Sequence, residues 1–292
     1  MHSSTRASAT SNRPRTGRRL IWRRLTVSAR VGLVVLAVIG FAAAAPTVIT
    51  RADPEELDIL SRLAPPSGRH PIGTDHIGRD LLSRLVYGAR VSLLVAVASV
   101  SGAALVGVVL GLLAGYYGRW VDGAAMRLVD TFLAFPAILL ALALVAALGA
   151  GVTSVIIALV LVFWTQYARV VRAVTLAEKE KAYVEAARAI GAGDWRILAR
   201  HILPSVLSPV IILATLGMGT AVVAESTLSF LGMGVQPPAP SWGWTLAFGT
   251  RYLRDAPHIA TFSGLAIMAT VLGFNLVGDG IRDLLDPKFR PQ

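Results

Sequence analysis

Residues 181–204 read KAYVEAARAIGAGDWRILARHILP. They are rich in charge, broken by glycines, and set between long apolar runs in a chain that is 54% hydrophobic. Residues 176–204 hold nine charged side chains. At about 3 kcal/mol for each one placed centrally in a bilayer, burying them in lipid would cost roughly 27 kcal/mol. The segment therefore belongs in water or against protein. Its pattern is helix, break, helix. Ala182, Ala186 and Ile190 recur on one face, with Tyr183 and Ala187 beside them. Gly191 follows where a helix end favours left-handed dihedrals. Asp194 is placed to cap a second helix over Trp195–Leu203, and Pro204 suits the first turn of the next apolar run. Small side chains at the tip of a short helix leave room for another surface to approach, so the segment reads either as a docking knob or as an ordinary solvated loop helix.

Working outward, the 292 residues carry only 15% charged side chains, against about 25% in soluble domains. Six apolar runs approach the roughly 20 residues needed to cross a bilayer: Val31–Thr50, Val91–Tyr116, Leu128–Leu148, Val152–Ala168, Ser205–Ala224 and Ile259–Val277. The expected class is all-α and polytopic, with six transmembrane helices. The organisation is a 1–30 leader, a 31–50 first span, a 51–90 loop with an amphipathic helix, a 91–280 core that contains segment 176–204 and loop 225–258, and a 281–292 tail. The first run, with its small-residue FAAAAPT end, reads as a retained signal-anchor or as a cleaved secretory signal.

Net charge is +11, and residues 1–30 supply eight arginines and no acid. Basic charge beside a hydrophobic span marks a cytoplasmic end, which places both termini and segment 169–204 inside the cell. The same distribution argues for a lipid bilayer and against nucleic acid as partner. Cysteine is absent, which removes disulfides and thiolate chemistry.

Ala103, Gly107, Gly111 and Gly115 stand four apart and make a smooth stripe for close helix packing. GTDHIGRD (73–80) has the glycine spacing of a phosphate loop but lacks its lysine. It reads instead as Thr74 or Asp75 capping an amphipathic helix with Ile77, Leu81, Leu82, Leu85 and Val86 on one face. His70, Asp75, His76 and Asp80 are too loosely spaced to be read as a metal site, and none is assigned. Loop 225–258 carries three prolines in QPPAPSWG (236–243). Trp242 and Trp244 are candidates there for receiving solute at a pathway mouth, the alternative being a rigid surface loop. Glu225 reads as an acidic residue before a following helix, Ser226–Leu231, or as a partner for a solute ammonium. Asn275 reads as a hydrogen bond between helices. Asp279, Asp283 and Asp286 read as a solvated C-terminal end.

EAARAIGAGDWRILARHILP resembles the EAA signature of ABC-importer permeases at Glu185, Ala186, Ala187, Gly191, Leu203 and Pro204, with His201 at the usual Ile position. HPIGTDHIGRDLLSRLVYGARVSL, MRLVDTFLAFP, AESTLSFLGMGVQPPAPSWG and NLVGDGIRDLLDP are similar, in order, to blocks of the C-type permease of dipeptide, oligopeptide and nickel importers. The resemblance implies a type I ABC importer fold. It also implies that the 181–204 helix docks on a cytoplasmic ATPase through Glu185, Ala186, Ala187 and Gly191, with Tyr183, Asp194 and Trp195 as further coupling residues. The partners it implies are a homologous B-type permease, two ATPase subunits that would bind ATP and Mg, and an extracytoplasmic solute-binding protein. No cofactor is expected in this chain, and no catalytic residue. The rival classes are a polytopic membrane enzyme, which would need clustered His, Asp or Glu at membrane depth, and a self-powered carrier, which would need intramembrane charges. Peptide and nickel remain alternative solutes.

Overall fold

A computed structural model describes residues 26–285. The arginine-rich leader up to residue 25 and the tail from residue 286, with Asp286 and Pro287, lie outside the described residues. Helix α1 (Val27–Ala44) leads through a short α2 (Pro46–Ile49) and a 3-10 turn (Ile59–Ser61) to α3 (Leu81–Tyr117). Then come α4 (Arg119–Leu133), α5 (Ala137–Leu148) and α6 (Val152–Lys179). The 181–204 segment forms α7 (Ala182–Ala189), α8 (Asp194–Ile197) and a π-helical turn (Leu198–Ile202). Helix α9 (Leu203–Phe230), α10 (Trp242–Arg251) and α11 (Pro257–Leu285) complete the chain. Five helices are long and apolar enough to cross a membrane, and α4 with α5 makes a sixth crossing if that bent pair is one span.

The third expected span, Leu128–Leu148, is not straight. It breaks between Leu133 and Ala137 with an 89° bend. Pro136 cannot donate to the preceding turn, and it biases Phe135 away from helical dihedrals. The bend also lets α4 keep its charges out of the apolar layer. Arg172 of α6 forms a two-pronged ion pair with Asp122, and Arg169 donates to Asp130 at 2.6 Å.

Helices α3 and α6 are in backbone contact along the small-residue stripe. Ala103 is fully buried. A Cβ at Gly107 would stand 2.6 Å from the Trp164 carbonyl oxygen. At Gly111 it would stand 2.6 Å from the Ala168 carbonyl oxygen, and at Gly115 2.6 Å from Thr175 Cβ. Contacts this close require glycine, and without a hydrophobic drive inside lipid they are a main source of helix–helix attraction.

At the end of the bundle opposite the 181–204 elbow, loops 51–80 and 231–256 form a cap. The expected cap on Thr74 or Asp75 and the separate amphipathic helix are corrected. Asp80 caps α3 by accepting from the Ser83 amide at 2.8 Å, and the amphipathic face is simply the first turns of the 37-residue α3. At 1.5 Å per residue α3 is about 55 Å long, well beyond a hydrocarbon core of about 30 Å, so its first turns can stand outside. Asp75 instead closes its own loop. Its carboxylate accepts from the Ile77 and Arg79 amides and from the Arg79 guanidinium at 2.7 Å, with Arg84 at 3.5 Å. Donors that a phosphate would need there are already taken. His70 bonds to Asp80 at 2.9 Å, while His76 stacks on Phe248 with ring centroids 4.1 Å apart. Among the described residues no three His, Asp or Glu side chains gather as a metal site. Burial pushes the His76 imidazole below its ordinary value, and Arg79 and Arg84 push the same way against Asp75.

Two outcomes follow from this packing. Gly111→Val should separate α3 from α6 at a cost of about 1–3 kcal/mol, the range for overpacked cores, whereas Gly123→Ala on α4, with open space around it, should be neutral or better. Thermal unfolding of the purified protein in detergent distinguishes them. Asp75→Asn should strand Arg79 and Arg84, both buried, and cost about 3–5 kcal/mol; an unchanged melting temperature would show that the cap does not depend on this pair of contacts.

Candidate functional site

The elbow between α6 and α9 presents exposed small residues, Ala182, Ala186, Ala189 and Gly191, at its end of the bundle. Helix α7 turns away from α6 after Glu180 and is tethered by its first turn. Tyr183 donates to Glu178, and Lys181 pairs with Glu178 at 2.6 Å. That hydrogen bond, then burial, pushes the Tyr183 phenol above its ordinary value. Val184 and Ala187 face inward and pack in one cluster with Ile197, Leu198 and Ile202. At the far end the Gly191 amide donates to the Arg188 carbonyl and the Ala192 amide to the Ala187 carbonyl, with Gly191 at φ +82°. This pair of bonds is the Schellman ending, and it needs a residue that tolerates left-handed backbone.

The seven coupling candidates divide into two groups. Glu185, Ala186, Gly191 and Trp195 are exposed, and a side chain added at Gly191 would meet nothing within 4 Å. Ala187 is buried, Tyr183 is held by Glu178, and Asp194 accepts from the Tyr116 hydroxyl of α3 at 2.7 Å. These three fix the elbow to the bundle. Asp194 does not cap the second helix: Gly193 occupies the cap position and Asp194 is the first helical residue. The expected stop before Pro204 is also absent. From Asp194 to Phe230 the chain runs as one 37-residue helical rod, with the π-helical turn at Leu198–Ile202 inside it.

Ile190 was read as part of a helix face, not as a site residue. It is 86% exposed, and Trp195 beside it is 81% exposed. Two large apolar side chains are thus exposed on either side of the glycine turn. The signal available in the sequence was that Ile190 shares a face with Ala182 and Ala186. Arg188, which lies 5.4 Å from the Tyr116 ring centroid, ties α7 to α3 as Asp194 ties α8 to it.

The cap holds the other candidates. Glu225 is not in front of a new helix; α9 continues through it to Phe230. It is fully buried, and its carboxylate accepts from Ser92 of α3 at 3.0 Å and Ser229 at 2.8 Å, with Ser226 and Ser241 at 3.4 Å. Ser241 occupies the N-cap position of α10, so this carboxylate joins three elements. Trp242 is buried and donates to the Leu85 carbonyl at 2.8 Å across Gly88. Trp244 stacks on Phe248 at 5.2 Å. Loop 225–258 is thus about half helical, and both tryptophans are packed into the cap. Asn275, expected between helices, is instead exposed over Gly219 of α9. Asp279 and Asp283 are exposed near the end of α11.

Known proteins resemble the chain closely. The family profile of the binding-protein-dependent transport system inner membrane component matches residues 107–291. The dipeptide transport system permease protein DppC of Alkalihalophilus pseudofirmus is 44% identical over 89% of this chain and 86% of its own length. The glutathione transport system permease protein GsiD of Pectobacterium atrosepticum is 43% identical, covering 94% and 93%. A putative peptide transport system permease protein of Brucella suis is 45% identical, covering 94% and 92%. Among solved structures, a chain of the inward-facing MetNI methionine ABC transporter superposes with a TM-score of 0.55 at 22% identity, over 69% of this chain and 96% of that one. The chain belongs to the family of binding-protein-dependent transport system inner membrane components, the membrane-spanning permeases of ABC importers.

Proposed function

We propose that the chain carries short peptides or peptide-like solutes inward through a heterodimer with a homologous B-type permease, driven by two ATPase subunits and supplied by an extracytoplasmic binding protein. The elbow end is the cytoplasmic face. The arginine-rich leader and the +3 excess of residues 169–204 support that orientation. The solute class is supported by relatives named for dipeptides, glutathione and peptides at 43–45% identity. The observation that carries the coupling role is the exposed Ile190–Gly191–Trp195 tip on an elbow continuous with α9.

In this reading the tip sits in an ATPase groove. Ile190, Trp195 and Ala186 make the contact, Gly191 lets the turn come close, and Val184 and Ala187 seat α7 on the bundle. Closure of the ATPase pair displaces the tip, and the rod from Asp194 to Phe230 carries that displacement towards the cap.

Two measurements test this. Ile190→Ser and Trp195→Ser change only exposed surface, where substitutions usually stay within about 0.5 kcal/mol. They should leave melting temperature unchanged, yet reduce ATPase co-purification and ATP-driven uptake by about tenfold, equivalent to about 1.4 kcal/mol of docking. Native uptake by both variants would remove the tip from the coupling path. Separately, the complex assembled in proteoliposomes should accumulate a labelled dipeptide only with ATP inside the compartment facing the elbow. Uptake by this chain without ATPase subunits would overturn the reading.

A further inference from the structure

Three polar side chains border recesses that are otherwise lined mostly by apolar residues. Gln166 of α6, Thr220 of α9 and Asn275 of α11 are all exposed. Thr220 and Asn275 each stand ten residues from the nearer end of their helices and Gln166 thirteen, about 15 Å or more at 1.5 Å per residue. That is deep enough to fall within a hydrocarbon layer about 30 Å thick, with Gln166 one turn on the cap side of the Arg169–Asp130 pair. Gln166 and Thr220 border one recess with Phe163, Tyr167 and Gly217. Asn275 borders the neighbouring groove with Val223 and Met268. Thr220 and Val223 are one turn apart on α9, so the two recesses adjoin along that helix.

Facing lipid, two carboxamides and a hydroxyl would lose their water partners without replacement, a heavy cost for groups with this many donors and acceptors. Water, a solute or polar groups of the partner permease would satisfy them, and the recesses they border leave room for water and solute. We propose that Gln166, Thr220 and Asn275 line the water-filled route of this subunit and contact the solute through uncharged amide and hydroxyl groups. A carboxamide offers a donor and an acceptor, as a peptide bond does, so this face selects for amide-bearing solutes and not for side-chain charge. Exposed charges begin one turn further towards the elbow, at Arg169, which is paired with Asp130 at 2.6 Å, and at Asp279, four residues beyond Asn275. The solute class rests on the import reading above; the lining role does not.

The natural chain has no cysteine, so single thiols can be introduced directly. In the assembled complex, Gln166→Cys, Thr220→Cys and Asn275→Cys should react with a charged, water-soluble methanethiosulfonate at least about tenfold faster than Leu105→Cys, because only a water-exposed thiol ionises to the reactive thiolate. Leu105 is an exposed apolar residue of α3. Labelling is read from the mass of this chain, and alanyl-alanine should slow it. Rates no faster than at Leu105→Cys, in a complex that still imports, would overturn the lining role. Gln166→Leu and Asn275→Leu should each slow alanyl-alanine uptake at least about fivefold, a loss near 1 kcal/mol; native uptake by both would overturn amide recognition. If all three thiols label but the native complex hydrolyses ATP without importing dipeptide, the lining stands and the solute assignment fails.

Discussion

The backbone contact between α3 and α6 is the constraint on which the rest of the bundle is hung. From Gly107 to Gly115 the two helices lie too close for a Cβ, over a length of about 12 Å. Lipid tails are as apolar as leucine, so burial alone gives helices little reason to associate in a bilayer. Close van der Waals contact must do it, and only residues without bulk allow that contact. Once the pair is fixed, other elements are referenced to it. Two arginines of α6 hold α4 at the elbow end, and α9 lies against both members.

Against that frame, α9 is a long lever tied near both ends. At the elbow the rod that runs into α9 is held at its start by Tyr116 of α3, through Asp194 of α8. At the cap its last turns are held by Glu225, whose carboxylate gathers serines from α3, α9 and the N-cap of α10. Between these ties lies the π-helical turn at Leu198–Ile202. Such turns are rare and are found frequently at functional sites. On the proposed docking, a displaced tip meets this irregular turn directly before α9 begins.

Much of this was legible in the sequence because it depends on local pattern. Apolar runs mark the spans, four-residue spacing of small residues marks the α3 seam, and glycine after a short helix marks the left-handed turn at Gly191. What was not legible depends on partners distant in sequence. Asp194 looked like a cap because four residues of context favour it, but its carboxylate is taken by Tyr116, 78 residues away. Glu225 looked like a helix start, yet its partner Ser92 lies 133 residues away. Asp75 and Asp80 both suit a cap, and the choice is made by Arg79 and Arg84, which claim Asp75. The bend at Pro136 was visible as a proline inside an apolar run. Run length outweighed it, although the charges at Asp122, Arg127 and Asp130 on one side already argued that the helix could not enter lipid straight.

The distribution of ionisable groups also bears on how energy enters. Charges concentrate at the two ends: Asp75, Arg79 and Arg84 inside the cap, and the Glu178–Lys181 pair at the elbow. The carboxylate of Glu225 belongs to the cap side of α9 and is enclosed by serine hydroxyls. Reaching it with a proton or cation would require parting α10 from α9 and α3. The exposed face at mid-depth offers amides and a hydroxyl, which bind solute without taking up charge. A gradient of ions needs a group that changes its charge or coordination along the route, and the described part of this face supplies neutral groups instead. On the proposed coupling, energy arrives instead as displacement of the tip, whose isoleucine and tryptophan are exposed beside the rod that continues into α9.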